Sequence, residues 1–296
     1  MRYISRLSGK AISFKTKGAY DAYLADLKKT GVMLPDVGVN RRRKGLVRRA
    51  ERQEAKYLST DPYHLRNNPH EVVSPPPGHV PQTFSLIHPT RGRPAPAWEC
   101  MNLWKDRMSS HNKLEYIISL DRDDADKYQP LLKHQQDFPL KIVTWDNPTM
   151  VAALNRGANF ATGDVLIYVS DDFECPDNWD LKIQSAVGSK IDWVLFVRDG
   201  LQEETQTISI LSRKYYEHFG YMYYPEYISM WADPDFTQTA IRMGKVIDGK
   251  HLTFKHNHYS VGKAPNDETY QRQNSSKAWV HGETLFNKRK AENFGI

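Results

Sequence analysis

The feature that most constrains the fold is the alternation, from residue 84 onward, of short apolar segments with helix-forming segments. Five apolar segments have the length and the β-branched or aromatic content of strands, and they lie at 83–88, 115–120, 141–144, 165–169 and 193–197. Segments with helical spacing lie between the first four, at 97–108, 125–134 and 150–161. This order predicts βαβ units, and so an α/β fold whose mostly parallel sheet carries helices on both faces.

The first 60 residues are strongly basic, in contrast to the rest of the chain. They contain 15 Lys and Arg residues and 5 Asp and Glu residues, although the net charge of all 296 residues is only +6. The basic runs at 41–44 and 48–49 lie in a helix-forming segment, 41–57, that has almost no apolar stripe. Such a segment can bind nucleic acid by neutralising phosphates, here DNA through residues 41–56, or it can be a solvated helix face.

A proline-rich segment divides the chain. Residues 61–83 include three consecutive prolines, which are typical of a semi-rigid linker. The sequence therefore predicts a small basic α/β appendage at 1–60, with a strand at 11–14 and a helix at 17–27. The linker follows, and then an α/β domain at 84–296.

Composition excludes several classes of protein. Cys100 and Cys175 are the only cysteines, too few for a disulfide framework or a four-thiolate zinc site, which indicates a reducing compartment. No apolar run approaches the roughly 18 residues of a membrane-spanning helix, and the first residues lack the apolar core of a signal peptide. We therefore expect no membrane span and a cytoplasmic location.

The loops after the first two predicted strands carry residues suited to a nucleotide. In open α/β sheets, ligands bind beyond the carboxyl ends of the strands. The first loop offers hydroxyl, backbone N–H and guanidinium groups that suit a phosphate, in the run Pro89-Thr90-Arg91-Gly92-Arg93. After the second strand, Asp121 and Asp123 can accept hydrogen bonds from a ribose hydroxyl or a base, although Asp123 and Asp124 also suit a helix N-terminus.

The most specific feature is the run Ser170-Asp171-Asp172, directly after the apolar strand at 165–169. Two adjacent carboxylates at the end of a buried strand are costly unless a cation neutralises them. A divalent cation that bridges a diphosphate would do so, because Mg²⁺ and Mn²⁺ prefer hard oxygen ligands. The alternative is a helix cap before Pro176.

Other segments stand in a fixed order around this run. Asn155-Arg156-Gly157 and Thr162-Gly163-Asp164 precede the strand that ends at Ser170-Asp171-Asp172. This order resembles the inverting GT-A glycosyltransferases of the family-2 kind, in which the strand ends in a DXD-type metal motif. The segments 208–221 and 233–244 are similar to that family's later stretches, the second of which carries the catalytic base. The resemblance runs from residue 84 to about 260 and implies a GT-A fold.

The resemblance also implies roles for individual residues. Asp233 would be the catalytic base, with Asp235 as its rival. Asp172 would be the main metal ligand, with Asp171 in support. The donor nucleotide would be bound by Pro89, Thr90, Arg91, Arg93, Asp121, Asp123, Asn155, Arg156, Ser170 and Asp171. The chain departs from the family pattern at Ser170, where an Asp is expected, and at Ala232, where a Glu is expected.

Two histidines near the C-terminus, His256 and His258, would share one side of a strand if that segment is extended. In many enzymes of this fold a late histidine completes the metal site, so each is a candidate third ligand. A solvated surface pair is the alternative.

The sequence and the resemblance together predict a metal-dependent glycosyltransferase. It would use Mn²⁺ or Mg²⁺ to move a hexosyl or pentosyl group, with inversion, from a nucleotide-sugar, preferably a UDP-sugar, to a hydroxyl of a glycan or of a modified DNA base. A DNA acceptor would make it similar to phage and other viral enzymes that glycosylate modified bases, in a bacterial or virus-infected cell. The alternatives are a catalytically inactive nucleotide- or nucleic-acid-binding module on the same fold, and a nucleotidyltransferase, although Gly92 is the only glycine in the first loop.

Overall fold

The computed structural model describes residues 3–7, 10–14, 74–75, 78–132, 140–258, 262 and 266–296. The chain divides into two units, Met1–Glu51 and Arg52–Ile296. Most of the linker predicted at 61–83 lies outside the described residues, and its boundaries stay a prediction.

In the first unit, the described backbone is a β-hairpin. Strands β1 (Tyr3–Leu7) and β2 (Lys10–Phe14) pair antiparallel, which confirms the strand predicted at 11–14. The helices expected at 17–27 and 41–57 lie outside the described residues.

The second unit is built on one large sheet. Among its described residues, seven strands form this sheet: β3 (Thr83–Pro89), β4 (Lys113–Asp121), β5 (Leu140–Trp145), β6 (Val165–Tyr168), β8 (Val194–Arg198), β9 (Ile210–Ser212) and β10 (Val246–Thr253). The order across the sheet is β10-β8-β9-β6-β3-β4-β5, and neighbours are parallel except at β9, which runs antiparallel to β6 and β8. Two short strands form a separate antiparallel pair, β7 (Phe173–Glu174) and β11 (Lys255–His256).

Helices cover both faces of the sheet. They are α1 (Pro94–Asp106), α2 (Gln129–Leu132), α3 (Met150–Ala158), α4 (Trp179–Val187), α5 (Arg213–Tyr216), α6 (Ala232–Arg242), α7 (Glu268–Gln273) and α8 (Ser276–Ala291). α1 and α4 pack in the apolar core on one face, and α3, α6 and α8 pack in the core on the other. The predicted α/β fold, with a mostly parallel sheet between two helical layers, is confirmed. Within the described residues, no helix combines the length and the apolar character needed to cross a membrane.

Successive side chains of β3 point to opposite faces of the sheet. Leu86 packs in the same core as Trp104 and Trp179, whereas Ile87 packs with Leu154 of α3, and all five side chains are 0% exposed. Because both faces are covered, a central strand needs apolar residues at successive positions. This is why the sequence contains continuous apolar segments, and the five strands predicted from them are all confirmed.

The three predicted helices differ in their bounds, and α3 ends at Ala158 rather than at residue 161. α1 begins at Pro94 rather than at residue 97, because the fixed φ of proline suits the first turn of a helix. The helix expected at 125–134 is a 3₁₀ turn at Ala125–Tyr128 followed by the short α2, and residues 133–134 lie outside the described part of the chain.

Two glycines let the chain pack closely beneath β3. A Cβ on Gly157 would lie 2.7 Å from Ile87 Cγ2, and a Cβ on Gly163 would lie 2.6 Å from the carbonyl oxygen of Thr83. The N–H of Gly163 also donates to Ser85 Oγ at 2.8 Å. These contacts hold α3 and the following turn against β3, and so they fix where β6 begins.

Candidate active site

A cleft opens at the carboxyl edge of the sheet, where β3, β4 and β6 end. Its lining includes seven of the predicted site residues: Pro89, Thr90, Arg91, Arg93, Asp121, Ser170 and Asp171. The C-terminal part of the chain closes another side of the cleft with α7, through Thr269, Tyr270, Arg272 and Gln273. Residues expected from separate loops therefore converge on one cleft.

Asp171 is held by side chains from β3 and the loop that follows it. Its Oδ1 accepts a hydrogen bond from Thr90 Oγ1 at 2.9 Å and lies 3.0 Å from His88 Nε2. Arg93 Nη1 lies 3.6 Å from its Oδ2. The other ring nitrogen of His88 lies 2.8 Å from the Tyr116 hydroxyl. The chain itself therefore fixes this carboxylate and partly neutralises it.

Arg91 joins the loops that follow β3 and β4. Its Nη1 donates to Asp121 Oδ2 at 2.6 Å, and its two terminal nitrogens donate to the two oxygens of Asp123, each at 2.6 Å. The hydrogen bond from Arg91 holds the pKa of Asp123 below its ordinary value. Asp124 anchors the same loop by accepting the N–H of Gly92 at 2.5 Å. The predicted helix cap is not made by the side chain of Asp124, and the contact of Asp121 and Asp123 with a nucleotide stays a prediction.

Arg93 connects the first loop to α7. Its Nε and Nη2 donate to the two oxygens of Asp267 at 2.7 and 2.6 Å, and its guanidinium lies 4.2 Å from the centroid of the Tyr270 ring. Thr269 Oγ1 adds a hydrogen bond to the carbonyl of Arg91 at 3.0 Å. α7 is thus fixed beside the cleft through the two arginines that are expected to meet phosphates.

Asp172 lies next to the cleft in a buried cluster with His256 and Tyr270. Its Oδ2 lies 3.1 Å from His256 Nε2 and accepts a hydrogen bond from the Tyr270 hydroxyl. Burial disfavours charge on both partners, but their attraction outweighs it and holds the pKa of Asp172 well below its usual range. Against the same burial, Asp172 and Asp199 raise the pKa of His256 to about 10.

His258 lies beyond the end of β11, so it does not share a strand face with His256 as the sequence suggested. Its ring centroid is 4.9 Å from that of His256 and 5.2 Å from that of Tyr270. Burial and the positive charge of His256 lower the pKa of His258 to about 4, so this imidazole is neutral at pH 7.

The fit of a metal ion depends on Asp172. In the part of the chain that the structure describes, no group of three or more His, Cys, Asp or Glu side chains is arranged to hold a metal ion by itself. Asp172 Oδ1, however, is buried and has no hydrogen-bond partner. A carboxylate oxygen is the donor that Mg²⁺ and Mn²⁺ prefer, so the residues fit a cation that takes its other ligands from substrate or water.

Asp233 lies half-buried in the first turn of α6. Burial raises its pKa to about 6, while the charge of His256 opposes this rise and that of Asp199 adds to it. Trp231, directly before the helix, has a φ of 72°, which is rare for a bulky side chain and is typical of functional sites. Asp233 thus has a pKa near neutrality, and it is close enough to His256 for the charge of that residue to affect it.

Asp235, the rival candidate for the base, is buried and engaged within the fold. Its Oδ2 accepts hydrogen bonds from Arg289 Nε at 2.6 Å and from the Tyr227 hydroxyl at 3.0 Å. The guanidinium of Arg289, from α8, also lies 3.6 Å from the centroid of the Tyr224 ring. These contacts tie α6 to α8 and favour a structural role for Asp235.

Asn155 and Arg156 make contacts away from the seven residues named at the cleft. Asn155 Oδ1 accepts the N–H groups of Met222 and Tyr223 at 3.0 and 3.1 Å, and its Nδ2 donates to the Tyr223 carbonyl at 2.7 Å. The guanidinium of Arg156 lies 4.4 Å from the centroid of the Trp145 ring. Asn155 therefore fixes the loop before α6, whereas Arg156 packs against the end of β5.

The sequence patterns do not identify three polar residues of this region, His88, Asp199 and Tyr270. A signal exists for two of them. His88 is a polar residue inside an apolar strand. Asp199 comes directly after β8, and this position is similar to that of Asp171, which comes shortly after β6. Tyr270 lies 98 positions from Asp172, and no local pattern relates them.

The sheet and its cleft indicate the fold of the protein. A mostly parallel sheet with helices on both faces and a cleft at its carboxyl edge matches the GT-A fold of glycosyltransferases. The chain belongs to glycosyl transferase family 2, because the model of that family matches residues 85–250, more than half of the chain.

Solved structures share the fold. S. aureus TarS 1–349 in complex with UDP matches with a TM-score of 0.50 and 15% identity, over 58% of this chain and 59% of that chain. The same TarS fragment in complex with UDP-GlcNAc also gives a TM-score of 0.50 and 15% identity, over 58% and 57%. The match thus covers less than two thirds of that fragment. No curated protein sequence matches the chain.

Proposed function

We propose that this protein is a metal-dependent glycosyltransferase that moves a sugar from a nucleotide-sugar to an acceptor hydroxyl. The observation that carries the proposal is that Arg91 and Arg93 line one cleft with Asp171, that Asp172 pairs with His256 next to it, and that Asp233 is close enough to His256 for their charges to interact. An inverting transfer needs these three elements, which are cations for a diphosphate, a carboxylate for a metal ion, and a base.

The donor nucleotide would lie along the loop that follows β3. Arg91 is held by Asp121 and Asp123. The guanidinium and the two carboxylates would offer hydrogen-bond donors and acceptors to the ribose and the base. Arg93 is paired with Asp267, so the donor phosphates would compete with that carboxylate for the guanidinium. The TarS structures that share the fold contain UDP and UDP-GlcNAc, which supports a UDP-sugar as the first donor to test.

Asp172, with His256 or His258, would hold Mn²⁺ or Mg²⁺. The bound cation would stabilise the negative charge that develops on the leaving diphosphate. Tyr270 would orient the Asp172 carboxylate through its hydroxyl, leaving Oδ1 for the metal. His256 binds a metal only as a neutral imidazole, so its Nε2 proton must leave when the cation binds.

Asp233 would be the base that takes the proton of the acceptor hydroxyl. Its pKa of about 6 leaves it mostly ionised at pH 7 and makes it more basic than an ordinary carboxylate. Asp235 is engaged by Arg289, which supports Asp233 as the better candidate. Inversion at the anomeric carbon follows from the family resemblance.

The acceptor would be a glycan or a nucleic acid, and the basic segment 41–56 supports a modified DNA base, as in a phage enzyme. Replacing the arginines of this segment by glutamine should weaken DNA binding and flatten its dependence on salt. Unchanged DNA affinity would contradict a nucleic-acid acceptor. The second candidate function, an inactive binding module, is favoured by Ser170 and Ala232, which stand where the family has Asp and Glu.

Release of nucleoside diphosphate from a panel of UDP-sugars and GDP-sugars, with Mn²⁺ or with EDTA, tests the proposal. We expect release that depends on Mn²⁺ and that falls at least about 10²-fold in Asp172→Ala and in Asp233→Asn. Asp192→Asn is the control, because Asp192 also pairs with a histidine, His218, at 2.9 Å but lies before β8 at the opposite edge of the sheet. Full activity in both site variants would refute the proposal, and nucleotide binding without any turnover would favour the inactive module.

A further inference from the structure

Asp199 is a buried carboxylate to which the proposed mechanism gives no role. It directly follows β8, at the same edge of the sheet where the acidic run follows β6, and it is 4% exposed. A buried carboxylate is costly unless its oxygens are satisfied, so its partners show what holds it there.

The loop after β8 holds the Asp199 carboxylate rigidly. Its Oδ1 accepts the N–H groups of Leu201 and Gln202 at 2.7 and 2.6 Å, and its Oδ2 accepts the Thr207 hydroxyl at 2.7 Å. The backbone N–H of His256 donates to the Asp199 carbonyl at 2.9 Å. The loop therefore holds both the carboxylate and the segment that carries His256.

The His256 ring lies between two carboxylates. Its Nε2 is 3.1 Å from Asp172 Oδ2, and its Nδ1 is 3.9 Å from Asp199 Oδ2, an ion-pair distance that is longer than a hydrogen bond. Nδ1 is buried and has no hydrogen-bond partner. The ring also packs edge-on against Phe173, with centroids 4.8 Å apart. Its two nitrogens therefore face opposite carboxylates, and only Nε2 faces Asp172.

We propose that Asp199 is the positioning residue that orients the His256 imidazole for metal binding. A neutral imidazole carries one proton, and a carboxylate that faces Nδ1 favours the proton on that atom. Nε2 then offers its lone pair on the side of Asp172. Without Asp199, the tautomer protonated at Nε2 would donate to Asp172, and that tautomer offers no lone pair on the metal side. This inference rests on the proposed function, because it takes His256 as a ligand.

The test compares Mn²⁺ binding by the full chain and by Asp199→Asn, in the presence of UDP. Asparagine keeps an oxygen for the N–H groups of Leu201 and Gln202, but it can present an NH₂ group to His256 in place of an acceptor. Titration followed by the electron paramagnetic resonance signal of free Mn²⁺ should show affinity weakened about 10- to 100-fold. The electron spin-echo modulation from a nitrogen bound directly to Mn²⁺ should disappear, a change that a merely structural role would not produce. Asp192→Asn is the matched control and should leave both signals unchanged.

Three outcomes are decisive. Wild-type Mn²⁺ affinity and an intact nitrogen signal in Asp199→Asn would overturn the role of Asp199 while leaving the proposed function in place. Wild-type Mn²⁺ affinity and an intact nitrogen signal in His256→Ala would also overturn the inference, because they would show that His256 is not a ligand. If Asp199→Asn does not fold, Thr207→Val removes only the hydrogen bond to Asp199 Oδ2, and we then expect a weakening of several-fold. No change in that variant would refute the positioning role.

Discussion

Replacing Asp233 by asparagine should make the protein more stable and less active at neutral pH. The pKa of Asp233 rises from 3.8 to about 6 in the fold, which corresponds to about 3 kcal/mol at most against the charged form. Because Asp233 is only half-buried, solvent screening reduces the expected gain to about 1–2 kcal/mol.

The direction of this change in stability follows from proton linkage. A carboxyl group whose pKa is higher in the folded state favours folding while it is protonated. This contribution is complete below the unfolded pKa of 3.8 and is lost as the pH rises through about 6. Asparagine cannot ionise, so the variant should exceed the wild type in free energy of unfolding at pH 7.5 and match it at pH 3.5. Urea unfolding at the two pH values measures this difference.

The same substitution should remove the acidic limb of the pH–rate profile. Because a base must be ionised, the wild-type rate should rise with pH through about 6 and then level off. The variant should lose about 10²- to 10⁴-fold in rate and show no limb near this pH. A variant that is less stable than the wild type at pH 7.5, or that keeps the limb, would refute the reasoning.

Asp235→Asn is the matched control in the same helix. It leaves Arg289 buried without a full negative partner, so it should lower the free energy of unfolding by up to about 3–5 kcal/mol. The two neighbouring substitutions are therefore expected to change stability in opposite directions at pH 7.5. Equal effects would mean that the assignment of one carboxylate to chemistry and the other to the fold is wrong.

Three further perturbations test the packing and the cleft. Gly163→Ala should lower the free energy of unfolding in urea by about 1–3 kcal/mol, because its Cβ would lie 2.6 Å from the Thr83 carbonyl oxygen, and an unchanged midpoint would contradict this packing. Arg93→Gln should weaken UDP binding at least about 10-fold by calorimetry, since a charge-assisted contact is lost, and wild-type affinity would exclude Arg93 from the phosphate site. Tyr270→Phe removes a hydrogen bond to Asp172 and should lower the free energy of unfolding by about 1–2 kcal/mol, which a lower melting temperature would show. An unchanged melting temperature would show that this hydrogen bond does not stabilise the fold.

The sequence predicted the sheet well because burial on both faces imposes continuous apolar segments. Strands β3 and β6 follow this pattern, and the positions of Arg91 and Asp171 follow from the rule that ligands meet the carboxyl ends of strands. β9 and β10 were not predicted. β9 has only three residues, and its antiparallel pairing inserts it between β8, which precedes it in the chain, and β6. Local periodicity carries no information on such an insertion.

Reading each loop by itself brought together residues that do line one cleft, such as Arg91 and Asp171, but it missed the contacts that span the chain. The Asp172–Tyr270 and Arg93–Asp267 contacts join positions 98 and 174 residues apart. A pattern in one segment cannot state such a pairing. Asn155 is a further case, because its hydrogen bonds to backbone groups of a distant loop were not predicted, while its role in ligand binding stays a prediction.

The contacts of α7 and α8 determine how much of the chain makes a working unit. The family match stops at residue 250, yet His256, Asp267, Tyr270 and Arg289 all lie after it. A protein shortened to the matched range would lack Tyr270 from the lining of the cleft, the partners of Asp172 and Arg93 at His256 and Asp267, and the guanidinium that pairs with Asp235. In this chain, the range that matches the family is therefore shorter than the range of residues that holds the cleft and its neighbouring carboxylates in place.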